Sequence, residues 1–149
     1  FLRKLGLLNS LIGLVLVYTT FALPFCVWML RNYFMSIPRE LDDAARVDGA
    51  SRLQALFTVI LPVAVPGIIA TSIFAFILSW NEFLYANTFI SSSSKRTVSI
   101  GLQSLIGEFT TDWGLLMAGA VITTMPIVII FFFVQRRLTQ GLASGAVKG

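Results

Sequence analysis

Three long stretches of the chain carry no charged side chain. The first runs from about residue 7 to residue 30, between Lys4 and Arg31. The second is uncharged from Leu53 to Asn81, with residues 61–80 as its membrane-crossing part. The third covers residues 114–134, between Asp112 and Arg136. Crossing a bilayer takes ~20 apolar residues at a rise of ~1.5 Å each. All three are apolar around their whole circumference rather than striped, as expected of helices solvated by lipid. The pattern predicts an all-α membrane protein with three transmembrane helices.

The polar intervals are also patterned. Between the first two spans, Ser36 is expected to cap a helix starting near Ile37, with Pro38 in its first turn. Glu40, Asp42 and Asp43 then crowd the positive end of that helix. Leu41, Ala44, Ala45 and Asp48 fall at helical spacing and make a smooth face around two alanines, and Gly49 suits the left-handed position that ends a helix. Ser51 followed by Gln54 fits a capping box for a second helix. Leu53, Leu56, Phe57 and Ile60 repeat along it as an apolar stripe. Residues 36–61 are therefore a helix, a glycine corner and a second helix leading into the second span. They serve either to dock a partner or as an ordered loop on the bilayer surface.

In the interval 82–112, Ser91-Ser92-Ser93-Ser94 reads as a flexible link. Val98, Leu102, Leu105 and Phe109 then predict a short amphipathic helix between Thr97 and Phe109, to contact an external partner or to lie on the membrane surface. Asn81 and Glu82 either line a translocation path, as ionisable groups in spans commonly do, or anchor the end of the second span. The tail, residues 135–149, is basic at first and then rich in Gly, Ala and Ser.

Composition supports this picture. Hydrophobic residues make up 56% of the chain and charged residues 12%, against about 25% in an ordinary soluble domain, and the mean hydropathy is +0.85. With no His and one Cys, Cys26, metal and disulfide chemistry have almost nothing to work with. The net charge of +4 is scattered over loops and helix ends, without the aromatic-rich basic face of a nucleic-acid binder. It reads better as membrane orientation. Arg31, Arg39, Arg46, Arg52, Arg136, Arg137 and Lys148 fall on one side; Arg3, Lys4, Lys95 and Arg96 fall on the other. Segment 31–61 and the C-terminus are thus expected in the cytoplasm. Trp28, Trp80 and Trp113 lie near span ends, where amphipathic rings favour the interface. Pro24, Pro66 and Pro126 are expected to kink helices, and Pro62 to mark the turn into the membrane. No phosphate-binding glycine loop and no nucleophile–base pair can be assembled, so the chain is not expected to hydrolyse anything itself. It begins at Phe1 without a signal-peptide pattern, which is expected of a piece of a longer protein.

The run Asp43-Ala44-Ala45, three residues, Gly49, then Leu61-Pro62 resembles the EAA motif of ABC importer permeases. That motif reads Glu-Ala-Ala, three residues, Gly, nine residues, Ile, one residue, Leu-Pro; Asp43 and Val59 stand for Glu and Ile. Trp80-Asn81-Glu82-Phe83 and the tail from Gln135-Arg136-Arg137 to Val147-Lys148-Gly149 are similar to the carbohydrate-uptake, maltose-type branch. The resemblance implies the C-terminal half of a six-helix permease in a bacterial or archaeal inner membrane. It implies a cytoplasmic coupling segment in which Asp43, Ala44, Ala45, Arg46, Asp48, Gly49, Leu61 and Pro62 engage a dimeric ATP-binding subunit that carries ATP and Mg, leaving this chain without a cofactor. A companion permease and an external solute-binding protein are implied too, the latter touching Val98, Leu102, Leu105 and Phe109. The same architecture importing an amino acid or phosphate, or a helical membrane scaffold without transport, are the competing expectations.

Overall fold

The computed structural model describes residue 4 and residues 6–107 and 110–143, with side chains through residue 135. Every regular element of the described residues is helical, without a strand. Three of its helices are long and apolar enough to cross a membrane: Leu11–Ser36, Arg52–Trp80 and Trp113–Gln135. In element terms these are α1 (Leu11–Ser36), then α3 (Arg52–Ala55) running through a π-helical turn (Leu56–Ile60) into α4 (Leu61–Trp80), and α7 (Trp113–Ala143). Shorter elements fill the two ends. They are α2 (Glu40–Val47) at one, and α5 (Leu84–Phe89), a 3₁₀ turn (Ser93–Lys95) and α6 (Val98–Gln103) at the other.

Within the spans, hydroxyls return to carbonyls one turn back: Thr19 to Val15, Thr20 to Val17, Thr71 to Gly67, Ser72 to Ile68, and Thr123 and Thr124 to Ala120. Polar side chains are tolerated in lipid on that condition.

α4 is the central helix and packs against both α1 and α7. Its buried positions are Ala64, Gly67 and Thr71, a strip of small residues at helical spacing. Small residues let membrane helices approach closely, since apolar burial alone does not drive helices together in lipid. The ring of Tyr33 on α1 lies over Gly67, and Phe25 of α1 stacks on Phe74 of α4 with ring centroids 4.2 Å apart. On the other side, the indole N–H of Trp80 donates to the Thr123 carbonyl of α7 at 3.1 Å. The α7 face bearing Ile122 (70% exposed) and Phe133 (75% exposed) meets nothing within the described chain, as befits a surface for lipid or further helices.

Three expected boundaries move. The first helix starts at Leu11 rather than near residue 7, because Gly6 (φ 67°) and Asn9 (φ 54°) turn the preceding chain back on itself. It ends at Ser36, not Leu30. Arg31 does not stop it; Pro38 does, by forcing Ile37 into extended backbone (φ −73°, ψ 127°). Ser36 is therefore no N-cap. Its hydroxyl donates to the Tyr33 carbonyl, and α2 begins at Glu40 with Arg39 in the cap position. Further along, the stripe from Leu53 loses its simple register at the π turn. Pro62 has no N–H to donate, and the Leu61 N–H reaches back five residues to the Leu56 carbonyl. Leu53 and Phe57 stay exposed.

Candidate functional site

The corner between α2 and α3 is the most defined polar structure at its end of the molecule. α2 carries Glu40, Asp42 and Asp43 in its first turn and Arg46 in its last, so both termini complement the helix dipole. Its C-terminus is a Schellman arrangement, with Gly49 N–H donating to the Arg46 carbonyl (3.1 Å) and Ala50 N–H to the Ala45 carbonyl (3.0 Å). Gly49 has φ +88°, the left-handed conformation this closure requires. Two residues later the capping box forms as the spacing predicts. Gln54 N–H donates to Ser51 Oγ (3.3 Å), and Ser51 N–H to Gln54 Oε1 (2.8 Å). The chain thus leaves one helix and enters the next with the N–H groups of Asp48, Gly49, Ala50, Ser51, Gln54 and Ala55 all bonded.

The structure divides the two alanines of the expected smooth face. Ala45 is buried at the inside of the corner, where α2 packs against α3 and the π turn, and Ala55 is buried there too. Ala44 is exposed, together with Asp43, Arg46, Val47, Asp48 and Gly49. Val47 is 87% exposed, the most exposed large apolar side chain described, and sequence reasoning passed over it. Helical spacing could have found it, since Val47 sits three residues beyond Ala44 on the same outer face. Leu61 is half-buried and Pro62 exposed at the head of α4, joined to the corner through the π turn.

At the opposite end, Asn81 and Glu82 have structural partners. Asn81 Nδ2 donates to the Ile77 carbonyl and finishes α4 (2.9 Å). The Glu82 carboxylate accepts the N–H groups of Tyr85 (2.8 Å) and Ala86 (3.0 Å), capping α5, and its carbonyl accepts the Ser99 hydroxyl (2.6 Å). Under these bonds lies a small apolar core of Leu14, Ala86, Ile90 and Ile100, with Tyr18 and Phe83 packed against it. Replacing Glu82 by alanine strands two N–H groups of α5. The expected loss is about 1–2 kcal/mol of thermal stability in detergent, and an unchanged melting midpoint would show that the cap is dispensable.

The amphipathic helix expected over residues 97–109 is shorter. α6 ends at Gln103, a turn follows, and Phe109 lies outside the described residues. Leu102 and Leu105 close on Gly119 of α7, where a Cβ would stand 3.1 and 3.2 Å from their methyl groups, so they hold α6 to the span; Val98 is exposed. Between the ends of α4, α6 and α7 is a cavity of about 290 Å³ lined by Trp80, Asn81, Ser99, Gln103, Thr123 and Thr124, among others. Arg136, Arg137 and Lys148 lie outside the residues whose side chains are described.

Comparison with known proteins agrees with this architecture. The family described as "Binding-protein-dependent transport system inner membrane component" matches residues 3–144. The chain is 42% identical over 148 residues to a sulfoquinovosyl glycerol transport system permease protein of Agrobacterium fabrum, covering 99% of this chain and 52% of that protein. It is 40% identical over 152 residues to a trehalose/maltose transport system permease protein of Thermococcus litoralis, covering 100% and 54%. A diacetylchitobiose uptake system permease protein of Streptomyces coelicolor is 40% identical over 147 residues, covering 99% and 53%. Among solved structures, a bacterial ABC transporter involved in the import of the polysaccharide alginate superposes with a TM-score of 0.67 at 27% identity, over 91% of this chain and 52% of that one. The chain thus spans about half the length of these relatives.

Proposed function

We infer, from the premise that this chain belongs to the family of binding-protein-dependent transport inner membrane components, that it is the C-terminal half of the membrane-spanning subunit of an ATP-driven importer for a sugar or oligosaccharide. The sugar class is supported by the names of relatives about 40% identical along the whole chain, which transport glycosides and disaccharides. ATP hydrolysis belongs to a separate cytoplasmic subunit, which α2 meets. A companion permease completes the pathway, and a solute-binding protein delivers the sugar from outside. The excess of Arg and Lys in segment 31–61 and the tail supports a cytoplasmic side for both.

The observation that carries this reading is the capped corner at Gly49. It projects Ala44, Val47 and Asp48 outward while Ala45 locks the inner side. A small, apolar, exposed helix face with charge at its rim suits docking into a cleft, where the apolar centre gives affinity and the charges give orientation. α2 is joined to α1 by three residues and to α4 through α3 and the π turn, so a push on α2 reaches two spans directly.

The test is uptake by the full-length permease, reconstituted with its ATP-binding subunit, companion permease and solute-binding protein. ATP-dependent accumulation of labelled maltose, trehalose or a related glycoside, without accumulation of labelled amino acids or phosphate, is the expected result. Accumulation of phosphate or an amino acid instead would overturn the sugar assignment, and no ATP-dependent uptake of any of them would favour a scaffold without transport.

A further inference from the structure

Asn9, just ahead of α1, engages a segment some eighty residues later in the chain with all of its hydrogen-bonding groups except its amide NH₂. Its N–H donates to the Phe89 carbonyl (2.8 Å), and its side-chain Oδ1 accepts the N–H groups of Ser91 (3.2 Å) and Ser92 (2.9 Å). Its own carbonyl accepts the Lys95 ammonium (2.7 Å). The serine run expected to be a flexible link is therefore an anchored turn. Asn9 reaches this position at φ 54°, a left-handed conformation that asparagine tolerates better than most residues. Gly13 supports the same geometry. A Cβ there would lie 2.1 Å from the Leu7 carbonyl oxygen, so only glycine lets the turned-back chain rest on the first turn of α1.

Beyond Asn9, α1 continues as a single helix of 26 residues with Pro24 inside it, about 39 Å at ~1.5 Å per residue. It ends three residues before α2. One helix therefore connects the clasped segment 89–95 at one end with the docking helix at the other. The apolar core of Leu14, Ala86, Ile90 and Ile100 underlies the clasp and ties α5 to the same helix.

We propose that Asn9 is a positioning residue that fastens the external layer to the head of α1, making α1 the rod through which a solute-binding protein on that layer acts on α2. The proposal rests on the importer reading above. A stiff element attached at both ends is the physical means of such coupling. Without the clasp, the serine segment follows its own motion, and binding outside no longer reaches α2.

The experiment uses the full assembled transporter carrying Asn9→Gly, which keeps the left-handed backbone and removes the side-chain acceptor, beside Asn9→Asp, which restores an acceptor. Two quantities are read. The first is hydrogen exchange of the Ser91 and Ser92 amides. The second is the ratio of ATP hydrolysis with and without the transporter's solute-binding protein supplied with maltose or trehalose. Asn9→Gly is expected to speed exchange about fivefold to tenfold. It should also lower the stimulated rate severalfold while leaving the unstimulated rate unchanged, and Asn9→Asp should recover both. A merely structural role would reduce the amount of assembled transporter and leave the ratio alone. Wild-type protection and a wild-type ratio in Asn9→Gly would overturn the proposal. A ratio of one in the unmodified transporter with a glycoside that it accumulates would overturn transmission through α1 without touching the importer reading, whereas no accumulation of any glycoside would refute that reading; the exchange rates decide in either case whether the clasp exists.

Discussion

Replacing Gly67 by leucine is expected to separate α1 from α4 and destabilise the permease by about 2–3 kcal/mol, the upper range for overpacking a tight interface. Even a single added Cβ would meet the Tyr33 ring at 2.3 to 2.6 Å, well inside contact distance, so the ring must leave the seam. The neighbouring small residues, Ala64 and Thr71, are buried along the same strip, leaving no obvious side on which α4 can yield. Thermal unfolding of the full-length permease in detergent checks this, with Gly101→Ala as a control because a Cβ at Gly101 meets nothing within 4 Å. Adding Tyr33→Ala to Gly67→Leu should recover part of the loss, since the two residues share one contact and their effects should not add. Equal melting of Gly67→Leu and the unmodified protein would mean that the helices do not meet at Gly67.

The second large effect is expected from Gly49→Pro. Proline holds φ near −65°, whereas Gly49 stands at +88°. The substitution also removes the N–H that donates to the Arg46 carbonyl. The Schellman closure then fails and α2 leaves the corner in a different direction. None of the three spans includes Gly49, so insertion and overall helix content should persist while ATP-dependent uptake falls by at least tenfold. Gly49→Asn should lose less, because asparagine is among the residues that enter the left-handed region at modest cost. Full uptake by Gly49→Pro would show that the corner has no part in coupling.

How much of this was legible beforehand depended on the range of the interactions involved. The spans were plain because exclusion of charge from lipid acts on every residue of a run. The Ser51–Gln54 box and the Gly49 corner were also readable, being local geometry set by a few adjacent residues. The end of α1 departs from the charge pattern for a cause that is itself local: the restriction that Pro38 imposes on Ile37 outweighs the charge at Arg31. The π turn before Pro62 had a signal in the missing N–H, but not one that fixes how the helix would adjust. The contacts of Tyr33 with Gly67, of Asn9 with Ser91 and Ser92, and of Leu102 and Leu105 with Gly119 join residues distant in sequence. No local periodicity encodes such pairs. The same limit explains the alanines. Helical spacing placed Ala44 and Ala45 on one smooth face, and only the packing of α2 against α3 and the π turn turned Ala45 inward.

That division decides how docking should be probed. A bulky residue at Ala45 would disturb the corner itself, whereas Val47 is 87% exposed and can be changed without touching the rest of the chain. The most direct measurement is therefore co-purification in detergent of the full-length permease with its ATP-binding subunit, with and without Val47→Asp. Loss of the subunit from the variant, with the permease still inserted and its melting midpoint unchanged, is the expected result and would place the docking face on the outer side of α2. Undiminished co-purification would contradict it and leave α2 as an ordered loop at the membrane surface.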